Sequence, residues 1–288
     1  MTKEILLILA SVPLYLLNAF CDKFASLGGD RKSHIRYNAI KFLFGAACLL
    51  PLFLLDDAPK FEIGVLVCGC SCGILYAMSK TAILQGYENT SVAFMTLCHA
   101  AGMILPCILG HFLWHEPVSM IALLGMVLAV SSIVLLKDNG RARQTFDLKG
   151  IWLGVLVFLG SGGVMVAQKC MGLYFSHQSN SAYNFYSFFI AFLLLLGGFR
   201  PAKNTPLKVS AKPTWLFALG SALSLCVISL VMTSLAGKVP SVILFPLFNG
   251  LGIILVSIGS VFLFGEKLTP RRIVGLFLGV IGLCLVNF

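Results

Sequence analysis

The sequence is short of charged residues. Only 11% of its 288 residues are Asp, Glu, Lys or Arg, whereas 58% are hydrophobic. Soluble domains carry about 25% charged residues. Together with a mean hydropathy of +0.95, this shortage excludes an ordinary soluble protein and predicts an integral membrane protein.

Long polar segments are also missing, because apolar runs of about 18–23 residues follow one another along the chain. Each run is long enough to cross a hydrocarbon core of roughly 30 Å as a helix. The runs lack the alternating pattern of a membrane barrel, so the predicted fold is all-α with ten transmembrane helices. The predicted spans are 5–25, 38–55, 63–84, 91–113, 119–136, 151–172, 182–199, 214–235, 240–263 and 272–287.

The ten cysteines show no pattern that favours disulfides or metal binding. All of them lie in or at the edge of apolar spans, where an extracellular disulfide framework is not expected. Cys68, Cys70 and Cys72 match no zinc spacing, and on a helix Cys70 points away from the other two. We therefore predict no metal site and no cofactor.

The sequence contains an internal repeat. WHEPVSMIALLG at 114–125 is matched by FGEKLTPRRIVG at 264–275, 150 positions later, which pairs Glu116 with Glu266. A second alignment, at an offset of 146, pairs Lys23 with Lys169. It also pairs the first-half residues Tyr37 and Asn38 with Tyr183 and Asn184.

The repeat divides the chain into two five-helix halves, 1–137 and 150–288, joined by a polar linker at 138–149. Because five is odd, the second half enters the membrane from the face opposite the first. Inverted repeats of this kind are typical of secondary transporters that work by alternating access. We therefore predict that the two halves are inverted repeats.

The end of each half carries a characteristic motif, in which a short turn of the type xGE/HE-x-(V/L)-(S/T) precedes a final helix that contains glycine. This pattern, over two five-helix units, resembles the EamA-like ten-helix transporters of the drug/metabolite transporter superfamily. The resemblance covers essentially the whole chain. It implies two bundles that enclose a cavity, and a role in moving small metabolites, amino acids or exogenous solutes.

Ionisable and polar groups inside a membrane are costly, about 2.5–3.5 kcal/mol for a central Lys or Asp, so each is a candidate for the solute path. Lys80 lies within the third span, with further apolar residues after it. His99 lies in the middle of the fourth span, and its repeat partner in the ninth is Asn249. Nearby Pro106 and Pro246 predict irregular, cavity-facing helices, although a bond from His99 or Asn249 to a neighbouring helix is the alternative.

Several further residues are candidate cavity ligands with equally simple alternatives. Lys23 and Lys169 lie near the ends of the first and sixth spans. The alternative for both is that the side chain extends along the helix to the membrane interface. Gln168 precedes Lys169. The tyrosine and asparagine pairs at 37–38 and 183–184 are predicted to open the second and seventh helices, where such residues also serve as interface anchors and caps.

The candidate charges favour an anionic or zwitterionic solute. Lysines outnumber carboxylates within the spans, and the acidic candidate Asp22 adjoins Lys23. The leading hypothesis is an amino-acid-like or carboxylate substrate, because no arginine lies inside a span to bind phosphate through two hydrogen bonds. A proton-coupled exporter of cationic or amphipathic drugs and a sugar-phosphate or nucleotide exchanger are the alternatives.

Other classes of function find little support. Glu116 and Glu266 are interpreted as structural residues that favour the start of the following helix. In HFLWHE, His111 and His115 are spaced to share a metal, but the segment lacks the glutamate of the zinc protease motif. No filter-like loop suggests a channel, so we expect neither an enzyme nor a channel.

The expected partners are the lipid bilayer and a small-molecule substrate, and the involvement of a coupling ion is left open. Nucleic acid is not expected as a partner. We expect a monomer, because one chain contains both halves. The predicted location is the cell membrane. Family resemblance favours cytoplasmic termini, but the positive-inside rule places them outside. Loops on the side of the termini carry Lys3, Lys60 and Lys238, and the opposite loops carry Arg31, Lys32, Arg36, Lys137, Arg141, Arg143, Lys149, Arg200, Lys203, Lys208, Lys212, Lys267, Arg271 and Arg272.

Overall fold

The protein is built from α-helices. The computed structural model describes residues 2–26, 31–57, 61–89, 92–116, 119–136, 148–196, 214–264 and 270–286. These ranges contain no strand. Their helices are α1 (Thr2–Ser26), α2 (Arg31–Leu55), α3 (Ile63–Asn89), α4 (Val92–Ala101), α5 (Ile104–Trp114), α6 (Met120–Leu136), α7 (Leu148–Tyr174), α8 (Asn180–Leu195), α9 (Thr214–Ala236), α10 (Ser241–Phe264) and α11 (Pro270–Val286).

The helices match the predicted spans with two corrections. Five of them, α1, α2, α3, α7 and α9, are long and apolar enough to cross a membrane. Helix α2 begins at Arg31, so Tyr37 and Asn38 lie in its second turn and do not open it. The fourth predicted span is divided into α4 and α5, so the ten spans correspond to eleven helices in the described ranges.

The division between α4 and α5 lies at Gly102 and Met103, four and three residues before Pro106. A proline has no N–H to donate to the carbonyl four residues earlier, and its ring crowds that carbonyl. The carbonyl of Gly102 accepts a shorter-range bond from Leu105 N–H instead, at 3.1 Å. Helix α10 continues through Pro246, so the predicted irregularity occurs only in the first half.

The helices of the two halves pack against each other. Helix α1 of the first half contacts α9 and α10 of the second half. Helix α3 of the first half contacts α7 and α8 of the second half. Helices α6 and α11, which end the two halves, also form an extensive contact. Because helices of one half contact those of the other throughout the bundle, the space between them is lined by both.

Glycines allow the turn between α4 and α5 to lie close to α7. A Cβ atom on Gly102 would lie 2.8 Å from the backbone nitrogen of Gly162, and a Cβ on Gly162 would lie 2.5 Å from the carbonyl oxygen of Gly102. Small residues of this kind let transmembrane helices approach closely. The segment GSGG at 160–163 therefore serves helix packing.

Candidate functional site

A central cavity lies between the two halves. It is lined by residues of α1, α3 and α4 from the first half and of α7, α9 and α10 from the second. Its open space is about 90 Å³, several times the roughly 10–15 Å³ that one water needs on the same measure. The cavity therefore has room for a small organic solute.

The cavity lining combines two kinds of surface. The polar lining consists of Tyr15, Asn18, Tyr76, Ser79, Lys80, His99, Ser161, Gln168 and Asn249. The apolar lining includes Met165, Leu225, Ile228, Met232, Phe245 and Phe248. Sites that bind small organic molecules typically combine polar groups with apolar side chains in this way.

Lys80 is the one charged side chain in this lining among the described residues. It is half-buried, and its ammonium makes no hydrogen bond or ion pair within the described ranges. Its backbone carbonyl accepts a hydrogen bond from Asn38 Nδ2 at 3.2 Å, which fixes α3 against α2 at this level. Within the part of the chain that the structure describes, Lys80 thus presents a positive charge to the cavity without a hydrogen-bond or ion-pair partner.

Two further polar groups in the lining lie close to Lys80 along α3 and on α4. Ser79 is buried, and its Oγ has no hydrogen-bond partner among the described residues. His99 is half-buried in α4, and its backbone carbonyl accepts a hydrogen bond from Ser161 Oγ at 3.0 Å. A buried hydroxyl without a partner costs free energy, so Ser79 is suited to bind a solute.

Hydrogen bonds to Ser229 of α9 hold polar cavity residues from both halves. Gln168 Nε2 donates to Ser229 Oγ at 3.4 Å, and Tyr76 Oη lies 3.4 Å from the same hydroxyl. Ser229 Oγ donates in turn to Asn184 Oδ1 at 2.5 Å, and Asn184 is also bonded to Asn180. Gln168 and Tyr76 therefore lie on the cavity, and Asn184 supports them from behind.

A buried ion pair lies beyond the cavity lining, between α1 and α2. Lys41 Nζ is 3.0 Å from both carboxylate oxygens of Asp22. The Lys41 side chain is 0% exposed and that of Asp22 is 24% exposed. Tyr37 Oη and Ser221 Oγ each donate to Asp22 Oδ1 at 2.7 Å. Four hydrogen bonds thus hold this carboxylate.

Asn18 connects the ion pair with the cavity. Its Nδ2 donates to Ser221 Oγ and to the Ser221 carbonyl, both at 2.9 Å, and its side chain belongs to the cavity lining. Lys80 interacts electrostatically with both Asp22 and Lys41. The ion pair and the cavity are therefore neighbouring parts of one polar region.

A second buried ion pair joins the two halves away from the cavity lining. Lys169 Nζ lies 2.5 Å from Glu116 Oε1 and donates to the carbonyl of Val239 at 3.0 Å. The Lys169 side chain is only 2% exposed, so the alternative interpretation, in which it extends to the interface, does not hold. Glu116 Oε2 accepts a hydrogen bond from Ser241 N–H, the first residue of α10, at 2.7 Å.

The structural role of Glu116 differs from the one predicted. Ser119 Oγ accepts a hydrogen bond from Ala122 N–H at 3.0 Å and so caps α6, the helix that follows Glu116. Helix α5 ends at His115 in a left-handed conformation, with φ 50°, and this turn directs Glu116 toward the second half. Glu116 therefore stabilises α10. Glu266 lies outside the described residues.

The predicted site residues separate into two groups. Lys80, His99, Gln168 and Asn249 line the cavity, and Asn249 Nδ2 donates to the carbonyl of Phe245 within α10 at 2.9 Å. The remaining candidates, whose roles in binding stay predictions, are absent from the described lining: Lys23, Tyr37, Asn38, Lys169, Tyr183 and Asn184. Tyr183 is fully buried in a hydrophobic cluster with residues of α2 and α3.

Several residues of the site were not predicted from the sequence. Asn18, Tyr76 and Ser79 belong to the lining although they resemble ordinary residues of apolar helices. The sequence did give an indication of the Asp22–Lys41 pair, because opposite charges inside a membrane usually pair. Their separation of 19 positions gives no indication of contact, however, without knowledge of how α1 and α2 pack.

Comparisons with known proteins agree with this architecture. The chain matches the model of the EamA-like transporter family at residues 2–137 and 148–288. A solved protein described only as a crystal structure of a protein aligns over 99% of this chain and 96% of its own, with a TM-score of 0.79 and 14% identity, which shows a shared fold. No curated protein matches the chain significantly. The chain therefore belongs to the EamA-like transporter family and is a multi-pass membrane transporter of small molecules.

Proposed function

We propose that the protein is a secondary transporter that moves a small anionic or zwitterionic organic solute, of the amino-acid or carboxylate type, through the central cavity. The observation that carries this proposal is the Lys80 ammonium, which faces the cavity without a partner among the described residues. An uncompensated charge in a membrane interior is costly. A bound carboxylate removes that cost, and a charge-assisted hydrogen bond holds it.

The remaining lining supports a solute with an apolar body. Ser79 and Asn18 place polar groups in the same lining as Lys80, whereas Ile228, Met232 and Phe248 supply apolar surface. A carboxylate bound by Lys80 leaves the rest of the molecule to contact these side chains, and burial of apolar surface contributes about 25 cal/mol per Å². Monocarboxylates and amino acids with apolar side chains fit this combination.

The proposed mechanism is alternating access between inverted repeats. Each half contains five predicted spans, and the odd number inverts the second half relative to the first. Residues from both halves line the cavity, so movement of one half against the other changes the side from which Lys80 is reached. A single chain provides the complete cavity, which supports a monomer, and the cell membrane is the proposed location.

The two alternatives predict different ligands. An exporter of cationic drugs needs a carboxylate that faces the solute, whereas Asp22 is bonded to Lys41 and the cavity presents Lys80. A sugar-phosphate or nucleotide exchanger favours arginine for bidentate phosphate binding, and no arginine occurs in the described lining. Both alternatives nevertheless remain measurable outcomes of one ligand screen.

The test is a thermal-shift and calorimetric screen of the purified protein with hexanoate, phenylalanine, glucose 6-phosphate and tetraphenylphosphonium. Binding of a ligand to the folded state raises the unfolding temperature. We expect hexanoate or phenylalanine to bind, and we expect Lys80→Gln to weaken that binding at least tenfold. Lys238→Gln is the matched control, because it removes an exposed lysine and is expected to leave the affinity unchanged.

Transport is tested by counterflow in proteoliposomes loaded with the solute that binds. Saturable exchange of labelled solute against unlabelled solute supports a carrier, whereas unsaturable flux without counterflow supports a channel. Stabilisation by tetraphenylphosphonium alone, unchanged in Lys80→Gln, would overturn the proposed substrate class in favour of a cation exporter.

A further inference from the structure

The hydrogen bonds of the cavity amides determine which atom of each amide a solute can reach. Asn18 Nδ2 donates to the Ser221 carbonyl and to Ser221 Oγ, both at 2.9 Å, so both of its N–H groups are used. Asn249 Nδ2 donates to the Phe245 carbonyl at 2.9 Å. A carbonyl oxygen only accepts hydrogen bonds, so these contacts distinguish the nitrogen of each amide from its oxygen. Both amide nitrogens are therefore directed at the protein.

A chain of hydrogen bonds fixes the amide of Gln168 in the same way. Asn184 Nδ2 donates to the Asn180 carbonyl at 2.8 Å, so Asn184 Oδ1 is the acceptor to which the Ser229 hydroxyl donates. Because its proton is used there, Ser229 Oγ accepts from Gln168 Nε2 and from Tyr76 Oη, each at 3.4 Å. The nitrogen of Gln168 and the hydroxyl proton of Tyr76 are thus both directed at Ser229.

The oxygen atoms of these amides are left for the cavity. Among the described residues, the side-chain oxygens of Asn18, Gln168 and Asn249 make no hydrogen bond. None of the three oxygens is fully enclosed without a partner, so each is reached from the open space that these residues line. Beside the charge of Lys80, the described lining therefore presents neutral oxygen acceptors.

Two sets of contacts place these acceptors near Lys80. Tyr76 precedes Lys80 by four residues on α3, so the two side chains lie on one face of that helix. Asn18 donates to Ser221, which donates to Asp22 at 2.7 Å, and Lys80 interacts electrostatically with Asp22. A positive donor and neutral acceptors therefore occupy neighbouring parts of the lining.

We propose that the cavity recognises a zwitterion, an α-amino acid, whose ammonium group is bound by the side-chain oxygens of Asn18 and Gln168 while Lys80 binds its carboxylate. The inference rests on the proposed function and narrows its substrate class from carboxylates in general to amino acids. An ammonium group carries three N–H donors and no acceptor, which matches oxygens that lack a donor. Because these oxygens are neutral, they bind the ammonium group without competing for Lys80.

A carboxylate without an amino group fits this lining less well. Its apolar chain would displace water from the oxygens of Asn18 and Gln168 and leave them without a donor. Buried acceptors that are left unpaired cost free energy. For this reason a site built to bind an N–H group of its substrate rejects an analogue that lacks the group.

The experiment compares two ligands with the same carbon skeleton, 2-aminohexanoate and hexanoate, in calorimetric titrations of the purified full-length protein at pH 7. Both carboxylates are ionised at this pH, and the amino group is protonated. We expect 2-aminohexanoate to bind roughly tenfold more tightly or better, because it pairs oxygens that hexanoate leaves unpaired. Equal affinities, or tighter binding of hexanoate, would overturn the inference and leave the proposed function intact. Binding of neither ligand would contradict the proposed function itself.

Two variants assign the ammonium site. Asn18→Leu and Gln168→Met each remove one oxygen at similar side-chain volume. Each should reduce the affinity ratio of 2-aminohexanoate to hexanoate by about fivefold or more without weakening hexanoate. A merely structural role would not move this ratio, because a damaged cavity weakens both ligands.

Gln178→Met is the matched control, because Gln178 lies outside the described lining, and it should leave the ratio unchanged. An unchanged ratio in both Asn18→Leu and Gln168→Met would overturn the assignment of the ammonium site. If a variant does not fold, the comparison of the two ligands on the wild type still decides for or against the zwitterion.

Discussion

The Glu116 carboxylate and the Lys169 ammonium lie 2.5 Å apart and connect the two halves of the transporter. The Glu116 side chain is 11% exposed and that of Lys169 is 2% exposed. The other oxygen of Glu116 accepts a hydrogen bond from the first N–H of α10. One carboxylate thus joins the turn after α5 to the end of α7 and the start of α10.

Removal of one partner from this pair should destabilise the protein. Glu116→Gln leaves the Lys169 charge buried, and loss of one partner of a buried ion pair costs about 3–5 kcal/mol of unfolding free energy. We expect a clearly lower thermal unfolding midpoint in detergent. The double variant Glu116→Gln with Lys169→Met should recover part of the loss, because no buried charge remains. Equal midpoints for the wild type and both variants would contradict a stabilising role for the pair.

The internal repeat predicts an equivalent pair between Lys23 and Glu266. Lys23 corresponds to Lys169 and Glu266 to Glu116, and Glu266 lies outside the described residues. If the two pairs hold opposite sides of the transporter, Lys23→Glu should strongly reduce counterflow. The charge exchange Lys23→Glu with Glu266→Lys should restore it in part. Counterflow that is unaffected by Lys23→Glu would show that transport does not need this pair.

The contact between Gly102 and Gly162 should tolerate no side chain. A Cβ at position 102 would lie 2.8 Å from the Gly162 nitrogen, so α7 must shift to admit it. Overpacking of this kind costs about 1–3 kcal/mol. We expect Gly102→Ala to lower the unfolding midpoint more than Gly220→Ala, whose Cβ would meet only Cys21 Sγ at 3.1 Å. Similar midpoints for the two variants would contradict the close contact.

The apolar lining should determine how affinity depends on the length of a carboxylate. Each buried methylene contributes about 0.8 kcal/mol, or roughly a fourfold gain in affinity. Affinity should therefore increase stepwise from propanoate to hexanoate in calorimetric titrations. In Ile228→Ser the gain per methylene should be smaller, while propanoate binding changes little. A flat series in the wild type would show that the solute does not contact this lining.

The membrane class, the helical fold and the repeat could be predicted because they depend on local composition and on similarity along the chain. Apolar runs of sufficient length specify helices in a membrane, since every backbone polar group must be bonded within the segment. Lys80 and His99 could be selected because polar residues there are rare and costly. Pro106 indicated in part that the fourth span is divided into two helices. The sequence did not indicate that the equivalent helix of the second half, α10, continues through its proline.

Partnerships between distant residues could not be predicted. Lys41 and Asp22 are 19 positions apart, and Glu116 and Lys169 are 53 positions apart. The repeat suggested that Lys23 and Lys169 are equivalent, but it gave no partner for either. Asn18 and Ser79 gave no signal, because an occasional Asn or Ser in an apolar helix usually bonds to its own or a neighbouring helix.

The sequence by itself determined that this chain forms membrane helices in two related halves, because hydrophobic length and repetition are properties of the chain. The tertiary structure decided which charges are neutralised and which remain available. Lys41 contacts a carboxylate of α1 and Lys169 contacts a carboxylate of the turn after α5, whereas Lys80 lines the cavity. A lysine has the same cost of burial wherever it occurs in the sequence, and only the packing of the helices determines whether a partner offsets that cost.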